Sequence, residues 1–318
     1  MSAHVFTGLH GVVHPPERAV VTVGVFDGVH LAHQQLIHTT VDLARRLKGT
    51  SVLITFDPDP HAVLDPRHAP SALMPVEVRV RELQQRGLDW IWVLPFTKRF
   101  ARMTAKQFVK QILLRRLRAV ALVVGETFVF GKNRQGNMDL LRAIGPAHGM
   151  QVVAVRPIRR GGLPISSSRI RRLIGSGKLS EARRLLGRSP ALYGDVVSGA
   201  GRGHRLGFPT VNVRLIDQAL PPQGVYAVIV QTPASRRAWR GVMNFGVRPT
   251  FGSGPLVCEV HLLGFRGTLK GCVVTVSLLA RLRSERCFPS PQALIRQVHR
   301  DLDRAQHVFA RLTPSPTR

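Results

Sequence analysis

Ten residues near the start of the chain, Gly24-Val25-Phe26-Asp27-Gly28-Val29-His30-Leu31-Ala32-His33, join an apolar run to a stretch of helical period. Backbone N–H groups at such a helix start can hold phosphate oxygens, assisted by the helix dipole. His30 and His33 stand one turn apart, so both can donate to the charge that grows on an α-phosphate and a leaving pyrophosphate during attack. Alone, a His-x-x-His pair reads more readily as two solvent-facing histidines. Here the strand, the Phe-Asp-Gly turn and the histidines arrive in an order that suits nucleotide binding.

The elements that must position such a site alternate in the first half of the chain. Ala19–Phe26, Ser51–Phe56, Trp90–Pro95, Ala119–Val124 and Gln151–Val155 read as buried strands. Between them His33–Leu47, Thr104–Leu117 and Asn137–His148 carry apolar residues at helical spacing, with Thr104 as an N-cap. Ser166 or Ser167 is placed to cap further helical turns over Arg169–Ile174. This order predicts an α/β domain built on a doubly wound parallel sheet. Ligands then sit outside the carboxyl ends of the strands, at the turns after Phe26, Phe56 and Val124.

After Gly187 the pattern changes to short runs broken by Gly and Pro: Ala191–Ser198, Thr210–Leu215, Gly224–Val230, Trp239–Phe245, Leu256–Leu263 and Val273–Leu279. Such spacing predicts a small antiparallel β-barrel. A C-terminal amphipathic helix fits Pro291–Leu312, with Leu294, Val298, Leu302, Ala305 and Phe309 on one face. The expected division is therefore 1–187 and 188–318.

Composition narrows the partners. Lys and Arg number 46 against 18 Asp and Glu, a net charge of +28 that favours phosphate-bearing ligands, nucleotide or nucleic acid. The basic residues are scattered or paired, and aromatics make up only 6%, which supplies few stacking platforms for single strands. An Arg-rich solvated surface is the better reading, and nucleic acid is not an expected partner. Every apolar stretch is too short for the roughly 20 residues of a membrane span. The first thirteen residues lack the layout of a secretory signal, so the expected location is cytoplasmic. Cys258, Cys272 and Cys287 have neither CxxC nor Cys/His spacing and read as incidental thiols, without a zinc site or disulfide framework.

The Gly24–His33 run resembles the opening motif of the HxGH nucleotidyltransferases, in particular the flavin enzyme's GxFDGxHxGH. Ile54-Thr55-Phe56-Asp57-Pro58-Asp59-Pro60 resembles that family's TFxPxP turn. Gly125-Glu126-Thr127-Phe128-Val129-Phe130-Gly131 resembles its GxNFxFG loop, and Ile165-Ser166-Ser167-Ser168-Arg169-Ile170-Arg171 its ISSTxIR segment. The resemblance implies that Gly24, Phe26, Asp27, Gly28 and Ser167 bind nucleotide and that His30, His33 and Arg171 serve catalysis. It also implies that Asp57, Thr127 and Phe130 meet the flavin. Ala32 stands where the family has Gly, and Thr127 where it has Asp or Asn.

In the second half, Gly207-Phe208-Pro209-Thr210-Val211-Asn212 resembles the GFPTAN motif of riboflavin kinases. Gly199–Gly203 resembles their phosphate flap, Asn244–Phe251 their NIGxRPTF segment, Cys258–Leu263 their ExHLL strand and Arg281–Phe288 their LRxExKF run. The resemblance implies nucleotide contacts at Gly201, Gly203, Thr210 and Asn212, and flavin contacts at Arg283 and Phe288. The Thr210 hydroxyl and Asn212 amide oxygen suit Mg2+, which takes oxygen ligands. The resemblance also implies that Glu259 is the general base for the riboflavin 5′-hydroxyl. Gly264, Lys270 and Cys287 depart from the family's Asp, Tyr and Lys.

Along nearly its whole length the chain thus resembles the prokaryotic bifunctional riboflavin kinase/FAD synthetase family. That implies riboflavin, FMN and ATP as substrates, with Mg2+ as cofactor. Two narrower readings stay open: a kinase alone, because Ala32 and Thr127 fall in the other site, or a basic nucleic-acid-binding protein on a retained nucleotide fold.

Overall fold

The computed structural model describes residues 3–9, 11–12, 14–199, 207–233, 235, 237–247 and 256–312. They fall into two compact units, Met1–Ser71 with Pro75–Ser168 and Ala72–Met74 with Arg169–Arg318.

The first unit is a six-stranded parallel sheet in the order β1-β4-β3-β2-β5-β6. Its strands are β1 (His4–Thr7), β2 (Val20–Val23), β3 (Ser51–Asp57), β4 (Trp90–Pro95), β5 (Ala121–Gly125) and β6 (Gln151–Val155), and a separate antiparallel pair, β7 (Arg159–Arg160) and β8 (Leu163–Pro164), follows. Strand alternation covers both faces. Val20 packs toward Ala44, Leu36 and Leu43 of helix α1 (Leu31–Arg46), whereas Val21 and Val23 join the larger core with Phe108, Val109, Leu113 and Leu141. From β2 the chain builds outward through β3 and β4, and later returns to β2's other side with β5. The order therefore reverses at β2, and the crevice at its carboxyl end is where such sheets take ligands.

Local chemistry fits these elements. The helix expected from Thr104 opens with a capping box, Thr104 with Gln107, over α5 (Ala105–Gln107). It then widens into π turns over Phe108–Arg116. Asn137 caps α6 (Met138–Ile144) through Leu140 N–H at 3.0 Å. Periodicity did not signal β1, an edge strand with largely exposed residues, nor the helices α2 (Pro60–Leu64), α3 (Val76–Gln84) and α4 (Lys98–Ala101). Strand β2 also stops at Val23, short of the expected Phe26, because Phe26 takes a φ of +56°.

The second unit is a closed antiparallel barrel in the order β10-β13-β12-β11-β14-β9. Its strands are β9 (Ala191–Val197), β10 (Thr210–Leu215), β11 (Gly224–Gln231), β12 (Ala238–Val247), β13 (Leu256–Leu262) and β14 (Val273–Arg283). Closure leaves no free edge. Helices α7 (Ser167–Gly175) and α8 (Leu179–Leu186) precede it, and Leu179 lies in the barrel core with Leu192, Tyr226 and Leu278. The compact units divide after Ser168, within α7.

Helix α9 (Pro291–Leu312) lays Ala305 and Phe309 against Val225, Ala227 and Val242, as its periodicity predicts. One turn earlier the inner face is polar. Asp301 and Gln297 are buried, while Leu294 and Val298 are only half-buried. Asp301 pairs with Arg283 of β14 at 2.9 Å, with side chains 3% and 14% exposed, and accepts from Gln297 at 2.7 Å. A buried ion pair leaves an uncompensated charge when one partner is lost; this one explains why a carboxylate occupies a core-facing turn.

Candidate functional sites

The first site is a turn held under strain. Phe26, Gly28 and Val29 take φ of +56°, +81° and +38°. Left-handed backbone is unusual for a β-branched residue and persists only where its surroundings enforce it. The surroundings do so through the turn's carbonyls. Thr55 Oγ1 and Arg79 Nη1 both donate to Val25 O at 2.9 Å. Ser167 Oγ donates to Asp27 O at 2.8 Å, and Gln34 Nε2 to Val29 O at 2.9 Å. At Gly24 a Cβ would stand 3.2 Å from the Phe26 ring, a tight contact to which the ring would have to yield.

His30 is the N-cap of α1 and is 3% exposed. Its Nδ1 accepts from His33 N–H at 3.3 Å, so the neutral ring carries its proton on Nε2. The His30 and His33 rings stack with centroids 3.5 Å apart, and Phe26 packs on His33 at 5.1 Å. Burial, then His30, then Arg79 hold the His33 imidazole well below its ordinary pKa, so it is neutral at pH 7. Asp27 is 4% exposed, beside the histidines in the chain. Arg171 lies four residues after Ser167 in α7, on the same face.

Asp57 ends β3 and Thr127 follows β5, both exposed, on either side of β2. Phe130 is half-buried and joins a file of aromatic rings, Phe56–Phe100–Phe108–Phe130–Phe128, with successive centroids 5.3 to 6.4 Å apart. The file links the β3 turn to the β5 loop and supplies apolar surface between them. Phe100 and Phe108 were not singled out in the sequence, where each is one Phe among 14.

The second site is a row across the barrel. Asn212 of β10 lies opposite Glu259 of β13, which lies opposite Asn244 of β12. Directly paired residues hold their Cβ atoms about 4.5–5.5 Å apart on one face. Thr210, two residues before Asn212, shares that face and pairs with His261. The intervening Val211, Val213 and Val260 belong to the core, so the polar row faces away from it. His261 Nδ1 lies 2.8 Å from Pro209 O, and Phe208 packs edge-on against His261 and His299. Gly199 lies against the Asn212 amide so closely that any Cβ would overlap it.

Arg283 and Phe288 come together by a cation–π contact of 5.5 Å, and Arg286 approaches the same ring at 5.0 Å. Arg283 Nε is committed to Asp301, and Arg286 donates to Gln297 Oε1. The two arginines are thus anchored on α9 and present Phe288 between them. Gly201 and Gly203 lie outside the described residues. All three thiols are free; burial first, then Glu259, pushes Cys258 up to about 12, which makes it inert. Sequence reading missed Arg79 and Asp301, because a charged residue in an amphipathic helix normally marks the solvent face.

The FAD synthetase family matches residues 13–169, and the riboflavin kinase family residues 186–309. The bifunctional riboflavin kinase/FMN adenylyltransferase of Escherichia coli (strain K12) is 34% identical over 309 residues, covering 97% of this chain and 98% of that protein. The chain belongs to the bifunctional riboflavin kinase/FMN adenylyltransferase family. Its namesake from Pseudomonas fluorescens is 35% identical over 304 residues, covering 95% of this chain and 97% of that one. A crystal structure of a protein called a macrolide-efflux protein, from Streptococcus pneumoniae, matches with TM-score 0.84 and 29% identity, over 96% of this chain and 99% of that one. That name is at odds with the two matched families, and among the described residues no helix is long and apolar enough to cross a membrane. With both families matched side by side, neither a kinase-only nor a nucleic-acid-binding reading is favoured.

Proposed function

We propose that this chain phosphorylates riboflavin to FMN and adenylylates FMN to FAD, using ATP in both steps. The pairing of Glu259 with Asn212, with Thr210 on the same face, carries the kinase half. Glu259 accepts the proton of the riboflavin 5′-hydroxyl as that oxygen bonds to the γ-phosphorus, and ADP departs with the broken bond's electron pair. In the adenylyl half a phosphate oxygen of FMN bonds to the α-phosphorus of ATP, and pyrophosphate leaves. His30 and His33 donate to the charge that develops, and Arg171 neutralises it. Asp57, Thr127 and Phe130 are assigned to the flavin of this step, and Arg283 and Phe288 to that of the kinase step.

The residues present fit Mg2+. Thr210 and Asn212 offer a hydroxyl and an amide oxygen two residues apart on one face, and Gly199 leaves the space against that amide. When bound with ATP, the ion neutralises phosphate charge, and these oxygens with those of the phosphates are the ligands it prefers. Residues 1–187 are assigned to adenylyl transfer and 188–318 to phosphorylation, supported by family matches ending at 169 and beginning at 186. A cytoplasmic setting is part of this reading.

Incubation with riboflavin, ATP and Mg2+, followed by separation of the flavins, tests it: FMN and then FAD are expected. FMN without FAD would leave only the kinase. A finer check is Gly199→Ala, whose added methyl displaces Asn212. Riboflavin phosphorylation is expected to fall by about tenfold or more, since misplacement on the order of 1 Å costs up to about 10²-fold. FAD formation from supplied FMN stays at the wild-type rate, read in parallel steady-state assays.

A further inference from the structure

Arg79 is a buried charge that the reaction as described does not use. It sits on α3, 5% exposed, with Nη1 donating to Val25 O at 2.9 Å and Nη2 to Phe56 O at 2.7 Å. Its Nε is buried without a hydrogen-bond partner. Val25 belongs to the strained turn that carries the histidines, and Phe56 to the end of β3 that leads into Asp57. Only a forked cation spans two carbonyls at fixed separation; an ammonium is a point donor on a flexible stem.

Resting on the adenylyl-transfer reading above, we propose that Arg79 is a positioning residue for that reaction: its guanidinium sets the histidine turn of β2 against the flavin-side turn of β3. Covering a cation costs solvation. Around it stand Asp27 of the turn, Asp57 at the end of β3, Asp59 at the cap of α2 and Glu77 on α3, which offset that cost. Burial nevertheless remains the largest influence, lowering the Arg79 pKa, although an arginine stays charged in a protein. The arrangement therefore places a permanent positive charge beneath the turn. His33 feels it: after burial and the stacked His30, Arg79 is the third cause of its lowered pKa. His30 at the cap of α1 and Arg79 on α3 are the titratable groups that lower it.

The fork and the charge separate experimentally in two full-length variants, Arg79→Lys and Arg79→Met. Three measurements are made on each: FAD formation from FMN, riboflavin phosphorylation, and the NMR titration of His33, assigned among the 13 histidines by its loss in a His33→Gln protein. Arg79→Met is expected to lower kcat for FAD formation by about 10²-fold, with riboflavin phosphorylation within twofold of wild type. The His33 midpoint moves up, with burial and His30 still holding it below its ordinary value. Arg79→Lys keeps the charge without the fork, so the His33 midpoint stays low while kcat still falls by about tenfold.

FAD formation within threefold of wild type in either variant overturns the proposal, as does a His33 midpoint unmoved in Arg79→Met. Should Arg79→Met fail to fold, the Arg79→Lys rate alone decides. A wild-type protein that makes FMN but no FAD refutes the adenylyl-transfer reading itself. A wild type that makes FAD, matched by both variants, refutes only the role of Arg79.

Discussion

Replacing Glu259 with Gln lowers riboflavin phosphorylation by about 10²–10⁴-fold, the usual cost of losing a positioned base. FAD formation from supplied FMN stays within twofold of wild type. The substitution is nearly isosteric and falls on the polar face of β13, so Cys258 and Val260 keep their places in the barrel core. The neighbouring amides Asn212 and Asn244 can hydrogen-bond to a glutamine as to a carboxylate. Structure is therefore preserved while the proton acceptor is lost. The measurement is the initial rate of FMN appearance from riboflavin and ATP, beside that of FAD from FMN and ATP on the same preparation. A Glu259→Gln protein that phosphorylates riboflavin within threefold of wild type removes Glu259 from the mechanism. Loss of both activities at once points to a folding defect or to one shared site.

The parts of both sites that lie within one stretch of chain were legible in the sequence. The turn after β2, its two histidines and the Thr210–Asn212 pair are local patterns, and strand alternation alone places Glu259 opposite the core-facing Val260. What stayed hidden depends on contacts between elements distant in sequence. Arg79 looks like any charge on a short helix, and only the fold brings it to carbonyls 54 and 23 residues away. Asp301 falls on the inward turn of α9 because Arg283 waits there on β14, so the expected run Leu294–Val298 gives way to Gln297–Asp301. Strand β1 escaped notice for a related reason. Its backbone is paired by β4, not by any strong pattern of its own four residues.

The two histidines, similar in sequence, should fail in different ways, and this difference separates chemistry from folding. His33→Ala is expected to lower FAD formation by about 10²–10³-fold, the usual loss when a donor to developing charge is removed, while riboflavin phosphorylation stays within twofold. His33 Nδ1 is buried without a hydrogen-bond partner, so the substitution breaks no bond at that nitrogen and sacrifices chiefly ring packing on His30 and Phe26. His30 also caps α1 by accepting from His33 N–H. Removing an N-cap side chain costs about 0.5–2 kcal/mol, so His30→Ala is expected to lose the same activity and to destabilise the protein through its cap as well. Thermal melts of the two variants beside their FAD-forming rates provide the check. Equal rates for His33→Ala and wild type would show that the neutral, stacked imidazole is only a packing element. A His30→Ala protein with normal FAD formation and a lowered melting temperature would reduce His30 to a helix cap.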